Sequence, residues 1–383
     1  MALNFRKCLF VFILTVFSAV SVVSQEKPTP TPPEETIKIA TEEVHLNITA
    51  QTADGRFVTT LTPDDLLIVE EGTPQKIESM KKVPASVLLL LDTGGNLNFA
   101  KTLNMTRLTA KLLVEKISAE NQVAVMQSYN KIETVSDWTN DHETLQNDLD
   151  RKLFSGNTSR FTDSVNAAIK MFETRSLENR HLVFIGDALD SFASENERQQ
   201  AFQNLIAAGI TVHVIAYNKM EAMRGKGATR SFQIGEEREA PRLPDHVLEG
   251  IIQGLPKEMR DNFRRMAKSE RLFIIRLDKK AIKLAKQKRE DWIKGETELQ
   301  TLAEDSGGMF QAPEAPETMW LLAEEIAKAI DSQYVVTYIP IKPFTGSDTS
   351  ENRKVRVSTH CSGVQIRARQ KIVLVPKKAK EVR

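Results

Sequence analysis

Cysteine is almost absent from this sequence of 383 residues, which contains only Cys8 and Cys361. Cys8 lies in an N-terminal segment that we expect to be removed, so one thiol would remain in the mature chain. A single thiol cannot close an internal disulfide, and the paired cysteines of a zinc site are missing too. The fold must therefore be stabilised by packing of a hydrophobic core.

The sequence also lacks the short motifs of common enzyme classes. Its six histidines are scattered and form no His-Glu-x-x-His zinc motif. It has no Gly-x-Ser-x-Gly nucleophile elbow, and the Gly-Lys-Gly at 225–227 lacks the spacing of a phosphate-binding loop. His213 alternates within a predicted strand, which indicates a structural role. We therefore predict that the protein is not an enzyme; the alternative is an enzyme with an unrecognised site in residues 219–296.

Strong net charge is missing as well. The formal net charge is +1, which favours neither nucleic acid nor a membrane surface as a partner. Basic residues are nevertheless concentrated in 219–296, with 20 Lys or Arg against 13 Asp or Glu. Within that region, "KKAIKLAKQKR" at 279–289 is a basic helical run, typical of a solvated surface. Contact of this run with lipid headgroups is the alternative interpretation.

The first 24 residues have the pattern of a secretory signal peptide. A basic start is followed by an apolar run from Cys8 to about Val23, with small residues before Gln25. A membrane anchor is the alternative, but the run is short for a span and no stop-transfer pattern follows. We expect cleavage near Ser24–Gln25 and a secreted or periplasmic protein. A Pro-rich linker at 25–36 comes next.

The remaining sequence divides into β segments near both ends and an α/β region between them. Apolar and polar residues alternate within 37–84, and 333–376 contains further strand-like segments. Across 85–332, strands alternate with amphipathic helices, which is typical of a mostly parallel sheet covered on both faces. We predict a doubly wound α/β domain inserted into a small antiparallel β-sandwich built from the two end segments. A basic tail at 377–383 closes the chain.

Two of the predicted buried strands end in an aspartate. The run "SVLLLLD" ends at Asp92 and "RHLVFIGD" ends at Asp187, while a threonine-containing turn at 156–158 opens a helix between them. In doubly wound sheets, ligands bind at the C-terminal ends of the strands. The sequence therefore predicts a functional site at that edge.

This arrangement resembles the von Willebrand factor type A domain and its metal ion-dependent adhesion site. In that family the first strand ends in Asp-x-Ser-x-Ser, a second loop supplies a threonine and the fourth strand supplies an aspartate. The segments "NITAQTADGRFVTTLTPDDLLIVEEGTPQKI" and "LQTLAEDSGGMFQAP" are similar to segments that flank this domain in exported bacterial proteins, a group well represented in acidobacteria. The resemblance covers most of 37–217 and 297–375. It leaves 219–296 as a charged, mainly helical insertion.

The resemblance assigns Asp92, Asn96, Thr158 and Asp187 to a metal site. Gly94 and Asn96 stand where the family has its two serines. Glycine supplies no side-chain ligand and asparagine only a neutral amide oxygen, whereas Mg²⁺ requires near-octahedral oxygen coordination. We therefore predict a degenerate site with weakened or lost binding of Mg²⁺ or Mn²⁺. The alternative is that both aspartates only accept backbone N–H groups at the strand ends.

The same resemblance implies an exported, non-catalytic protein-interaction or adhesion module. If the metal site works, an acidic side chain of its partner, an unknown protein, would dock over Asp92, Thr158 and Asp187. If it does not, the loops of that edge or the 219–296 insertion would bind the partner. The alternative is a structural envelope protein that binds anionic surfaces through the basic 219–296 region. That alternative predicts salt-sensitive binding.

Overall fold

The computed structural model describes residues 43–95, 101–220, 279–315, 318–344 and 351–374, with a few further positions between 249 and 264. The predicted signal peptide, the Pro-rich linker, most of the 219–296 insertion and the basic tail lie outside these residues, as does Asn96.

The described part contains fourteen strands, six α-helices and one short 3₁₀ helix at Pro63–Asp65. The strands are β1 (Val44–Thr52), β2 (Leu66–Glu70), β3 (Thr73–Gln75), β4 (Ile77–Lys81), β5 (Ser86–Asp92), β6 (Gln122–Ser128), β7 (Ile132–Thr139), β8 (Arg180–Gly186), β9 (Thr211–Ala216), β10 (Phe310–Gln311), β11 (Tyr334–Tyr338), β12 (Glu351–Thr359), β13 (Val364–Ala368) and β14 (Lys371–Leu374). The helices are α1 (Leu103–Lys116), α2 (His142–Arg151), α3 (Phe161–Phe172), α4 (Glu195–Ala207), α5 (Lys279–Ser306) and α6 (Met319–Asp331).

A six-stranded sheet in the order β10-β9-β8-β5-β6-β7 forms the centre of the α/β region. All neighbouring strands are parallel except β7, which pairs antiparallel with β6. Every residue of β5 is buried, because both faces of the sheet are covered. Leu89 and Leu91 pack in one core cluster with residues of α1, α2 and α6, whereas Leu88 and Leu90 pack in another with α3, α4 and α5. The predicted doubly wound α/β fold is confirmed.

Two antiparallel sheets are built from the two end segments of the chain. Their strand orders are β13-β1-β11-β4 and β14-β12-β2-β3, so each sheet combines strands from before and after the α/β region. Both sheets contribute to one core cluster, which contains Leu46 and Tyr338 from the first sheet and Ile68 and Val355 from the second. The prediction that the two end segments together form antiparallel sheets is therefore confirmed.

Helix α5 connects the insertion to the α/β region without a break. Residue 296, where the resemblance places the end of the insertion, lies inside this helix. Trp292 and Leu299 are both buried, so the helix packs into the domain on either side of that position. None of the helices within the described residues is long and apolar enough to span a membrane.

Candidate functional site

Asp92 and Asp187 meet at the C-terminal edge of the central sheet. Asp92 is the last residue of β5 and Asp187 directly follows β8, the parallel neighbour of β5. Because adjacent parallel strands end at the same edge, the two carboxylates are brought together. Their exposed fractions are only 1% and 2%. The sequence-based pairing of these two residues is thus reproduced by the structure.

A lysine lies between the two carboxylates. Lys101 Nζ is 2.6 Å from Asp92 Oδ2 and 2.9 Å from Asp187 Oδ1, and the residue is 1% exposed. Lys101 precedes Thr102, the N-cap of α1, whose side chain accepts a hydrogen bond from the Met105 backbone N–H. This cap fixes where the helix begins, and so places the lysine at the sheet edge. Lys101 was not among the site residues predicted from the sequence.

Both aspartates accept further hydrogen bonds besides those from Lys101. Asp92 Oδ1 accepts from the Gly94 backbone N–H at 3.2 Å and from the Ser159 hydroxyl at 3.1 Å. Asp187 Oδ1 also accepts from the Leu189 backbone N–H at 3.2 Å. Buried carboxylates are tolerated only when they are paired and hydrogen-bonded in this way. The alternative prediction was that the aspartates only accept backbone N–H groups at the strand ends. Such hydrogen bonds are present, together with those from Lys101 and Ser159.

One ammonium does not fully compensate two buried carboxylates. Burial raises the pKa of Asp92 to about 7, with Lys101 opposing the rise and the neighbouring Asp187 adding to it. Burial alone would lower the pKa of Lys101, but the Asp187 and Asp92 carboxylates outweigh it and the pKa is raised. Lys101 therefore stays a cation at neutral pH, and Asp92 is near its midpoint of protonation.

Thr158 is not among the groups that contact the aspartates. Its hydroxyl donates to Asn130 Oδ1 at 3.1 Å, and the next residue, Ser159, supplies the hydroxyl that reaches Asp92. The structure thus places the loop one residue away from the position that the resemblance assigned. Asn130 sets this position, because its Oδ1 also accepts the backbone N–H groups of Asn157 and Thr158.

Position 94 requires glycine because two other backbone segments lie very close to it. A Cβ at this position would lie 2.1 Å from the Thr158 carbonyl oxygen and 2.7 Å from the Tyr129 Cα. No side chain fits there without movement of the backbone, so the serine that the family carries at this position is excluded from the present conformation.

The surrounding residues do not fit a divalent cation. The ammonium of Lys101 lies between the two carboxylates that would have to bind the ion, and Gly94 has no room for a ligand side chain. Among the described residues there is also no group of three or more His, Cys, Asp or Glu that could hold a metal. A cation placed here would face the positive charge of Lys101 at close range.

Helix α5 packs against the loop that carries Asp187. The side-chain amide of Asn218 donates to the Asp187 carbonyl at 3.0 Å and to the Trp292 carbonyl of α5 at 2.8 Å. A Cβ at Gly295 would lie 3.2 Å from the Asp187 carbonyl oxygen, so the helix approaches closely because this residue is glycine. The Asp187 backbone is therefore fixed from the side of the insertion.

Exposed aromatic residues lie on the loops next to the buried triad of Lys101, Asp92 and Asp187. Phe154 lies on the loop before Ser159 and is 55% exposed, and Phe192 lies on the loop after Asp187 and is 62% exposed. The guanidinium of Arg160 stacks over the Phe192 ring, 4.9 Å from its centroid. This edge thus combines a buried charged network with an accessible surface of mixed aromatic and cationic character.

Comparison with known proteins agrees with the fold. Residues 87–189 match the von Willebrand factor type A domain family. No curated protein matches the sequence at a significant level.

Several solved structures are similar to this chain at low identity. An aerotolerance-related membrane protein from Bacteroides fragilis is 15% identical, with 64% of this chain and 98% of that chain covered and a TM-score of 0.38. A von Willebrand factor type A protein from Catenulispora acidiphila is 9% identical, covering 86% of this chain and 73% of that one, with a TM-score of 0.41. Proximal thread matrix protein 1 from the mussel byssus, in a form with a zinc-occupied adhesion motif, is 16% identical, with coverages of 35% and 38% and a TM-score of 0.32.

The matched range begins inside β5 and ends just after Asp187, so it contains both strands that end in the paired aspartates. Together with the parallel order of β9, β8, β5 and β6, this match identifies the α/β region. Residues 87–189 of this chain thus match the von Willebrand factor type A domain family, and the sheet that contains them has the type A-like fold.

Proposed function

We propose that this chain is an exported, non-catalytic protein-interaction module whose type A domain binds its partner without a divalent cation. The observation that carries the proposal is the position of Lys101 between Asp92 and Asp187. The chain supplies its own cation where related domains can hold a metal, zinc in the mussel byssus protein.

The buried triad is too inaccessible to solvent and substrate to act in catalysis. All three side chains are at most 2% exposed, so a substrate cannot reach the ammonium or the carboxylates without opening the fold. A general acid or base has to come within hydrogen-bond reach of the reacting group. The triad therefore supports a structural role, in which it fixes the loops of the sheet edge.

Partner contact is assigned to the accessible surface above the triad. Exposed aromatic side chains are enriched at protein interfaces because they bury a large area on binding. Phe154 and Phe192 supply two such side chains. Arg160 adds a cation beside Phe192; its Nε pairs with Asp163 at 3.0 Å, so an acidic residue of the partner would share the guanidinium with Asp163. An acidic partner residue would then bind to a guanidinium instead of a metal.

The metal part of the proposal is tested by thermal unfolding in EDTA and in millimolar Mg²⁺ or Mn²⁺. The wild-type Tm should not change, because Lys101 excludes the ion. Lys101→Ala should lower the free energy of unfolding by about 3–5 kcal/mol, since two carboxylates lose their buried partner. A metal should restore part of this loss, about 2.7 kcal/mol at a concentration of 100 times Kd.

Lys111→Ala is the matched control, because it removes a lysine of α1 whose ion pair with Asp150 is largely at the surface. It should shift the Tm little and show no metal response. If Lys101→Ala fails to fold, Lys101→Gln retains hydrogen-bond donors in the same place. A wild-type Tm that rises with Mg²⁺ and no longer does so in Asp92→Ala would contradict the proposal.

The interaction part is tested with the immobilised mature chain and the exported proteins of the source cell. Retention of a partner should be equal in EDTA and in Mg²⁺, and should be lost in Phe154→Ser/Phe192→Ser. Leu177→Ser is the control, because Leu177 is as exposed (63%) but lies in the loop that leads into β8, at the other end of that strand. Retention that requires Mg²⁺, or that both variants affect equally, would argue against this surface.

Export rests on the N-terminal pattern of the first 24 residues and is part of the proposal. N-terminal sequencing of the secreted or periplasmic protein should begin at Gln25. The envelope alternative, through the basic run at 279–289, predicts instead that salt removes binding while Phe154→Ser/Phe192→Ser leaves it unchanged.

A further inference from the structure

A second candidate site lies in the antiparallel part of the molecule, away from the type A domain edge. A groove of about 920 Å³ is lined by segments of β12 and β13, by the residues that connect β13 to β14, and by the turn after β2. Nothing in the proposed function involves this groove.

The groove lies between two consecutive strands that do not pair with each other. β12 and β13 are connected by a short turn containing Gly363, whose φ is +74°. Within the described residues, β13 pairs only with β1 and is an edge strand of its sheet. From Val355 to Thr359, β12 pairs with β2 on one side. On the other side β14 pairs with residues 351–354 and the Val355 N–H donates to the Gln370 carbonyl, so the free edge begins at Arg356. Both strands thus present an edge without a strand partner.

An unpaired strand edge tends to associate with a further strand unless it is covered. Each contains backbone N–H and C=O groups that can pair with an additional strand. Five residues of β13 correspond to a contact length of about 17 Å at about 3.4 Å per residue. The groove also contains apolar side chains, since Val357 and Ile366 are partly buried in its wall. An extended peptide with alternating side chains is the ligand that suits such a surface.

The charge of the groove indicates which kind of peptide it would bind. The lining contains five basic residues and two acidic residues, and four of the basic side chains have no carboxylate within 4.0 Å among the described residues: Lys354, Arg356, Arg367 and Arg369. The carboxylate of Glu71, one of the two acidic residues, accepts the backbone N–H of Lys354. The groove therefore carries an excess of positive charge that its own side chains do not neutralise.

Arg369 is the least solvated of these cations. It is 7% exposed, and its Nε has no hydrogen-bond partner among the described residues. Its Nη2 lies close to Gly209, at the C-terminal end of α4, where the helix dipole partly compensates a positive charge. Burial lowers the pKa of Arg369 to about 10, so it remains charged at neutral pH. A buried charge without a carboxylate gains from any anion that approaches it.

We propose that this groove binds an acidic, extended segment of a partner protein by strand addition along β12 and β13. The backbone of the segment pairs with the free strand edges, its acidic side chains meet the unpaired Lys and Arg residues, and its apolar side chains contact Val357 and Ile366. Positive charge on an edge strand also opposes edge-to-edge aggregation, and the experiment separates the two roles.

The probe is the labelled peptide acetyl-EVEVEVE-amide, which alternates acidic and β-branched residues, titrated against the mature chain by fluorescence anisotropy. We expect saturable binding, and no binding of the reversed-charge peptide acetyl-KVKVKVK-amide. Lys354→Gln/Arg356→Gln should weaken binding about five- to twenty-fold, because two exposed ion pairs are lost. Lys170→Gln/Lys283→Gln removes two exposed lysines elsewhere and should leave affinity unchanged.

Strand addition is distinguished from simple charge attraction by a third peptide. An acidic peptide with N-methylated valines has the same charge but cannot donate backbone hydrogen bonds at those positions, and it should bind at least tenfold more weakly. Equal binding of the methylated peptide would overturn strand addition. Absence of binding, or binding that Lys354→Gln/Arg356→Gln does not change, would overturn the site. Competition by polyphosphate but not by unlabelled acidic peptide would assign the groove to another class of anion and also overturn the proposal.

A negative result in this experiment would not bear on the proposed metal-independent binding by the type A domain, since none of these variants lies near Lys101. The two proposals are therefore tested independently.

Discussion

Two buried histidines should make the stability of this protein depend on pH in a way that can be calculated. His181 in β8 and His213 in β9 are 0% and 1% exposed, and His181 Nδ1 lies 3.0 Å from His213 Nε2. The Met309 backbone N–H donates to His213 Nδ1, so the proton of His213 must be on Nε2, where it donates to His181. The remaining proton of His181 is then on Nε2, 2.8 Å from Asn179 Oδ1. Both rings are neutral in this arrangement.

A further proton on either ring has no acceptor. On His181 Nδ1 it would face the N–H of His213, and on His213 Nδ1 it would face the N–H of Met309. Burial accordingly lowers the pKa of His181 to about 3 and that of His213 well below its usual value. The unfolded chain binds these protons near pH 6.5. Above about pH 6.5 the two histidines therefore do not destabilise the folded state. Their effect is to lower the free energy of unfolding as the pH falls from there towards 3.

The loss is about 1.4 kcal/mol per histidine for each pH unit below 6.5, so two histidines give about 2.7 kcal/mol between pH 7.5 and 5.5. Asp92 acts in the opposite direction. Burial raises its pKa to about 7, so the folded state takes up a proton over the same interval and is stabilised by it. Because these contributions have opposite signs, the histidine contribution is measured by comparing wild type with a variant that lacks the two histidines.

The assay is urea unfolding at pH 7.5 and 5.5 of wild type, His181→Asn/His213→Gln and the exposed-site control His360→Gln. The double variant should be less stable at pH 7.5, because it disrupts the network. On acidification, however, its free energy of unfolding should change by about 2.7 kcal/mol more in the favourable direction than that of wild type. Identical pH dependence of wild type and double variant would refute the reasoning, and a single variant, His213→Gln, repeats the test if the double variant does not fold.

Two further predictions concern buried contacts. Arg353 pairs with Glu70 at 2.6 Å and is 6% exposed. Arg353→Met should therefore lower the free energy of unfolding by about 3–5 kcal/mol, and adding Glu70→Gln should recover part of that loss. Urea unfolding of wild type, the single variant and the double variant checks this order of stability. Gly94→Ala and Gly94→Ser should lower the Tm equally, because the clash with the Thr158 carbonyl involves the Cβ; a Tm for Gly94→Ser that equals wild type would show that the loop yields.

The architecture was predictable because the decisive signals are local. β5 and β8 appear in the sequence as short aliphatic runs that end in aspartate, and each is buried along its whole length. Parallel neighbours end at one edge, so the approach of Asp92 to Asp187 followed from the fold class. The strands of the two end segments were likewise visible in their alternation.

Lys101 was not predictable by the same means. Lysine is rarely buried, and its position beside a helix start indicates a solvated side chain. Its burial depends on Asp187, which lies 86 positions later in the sequence. The one signal in the sequence was indirect: two carboxylates at the ends of neighbouring buried strands need a nearby positive charge or a proton. Thr158 was misplaced for a related reason, because the side chain of Asn130 fixes the loop and no local pattern indicates that contact.

Replacement of a divalent ion by an ammonium changes what the sheet edge responds to. A bound metal is lost when its concentration falls, whereas Lys101 is covalently part of the chain and its loss requires unfolding or mutation. A single positive charge, however, leaves one of the two carboxylates uncompensated, which is why burial and Asp187 hold the pKa of Asp92 near 7 despite the contact with Lys101. Near neutral pH the remaining negative charge is therefore partly neutralised by protonation of Asp92. We therefore expect an edge that does not respond to chelators but whose charge state changes close to neutral pH, and because the triad is buried, that change is coupled to the stability of the domain.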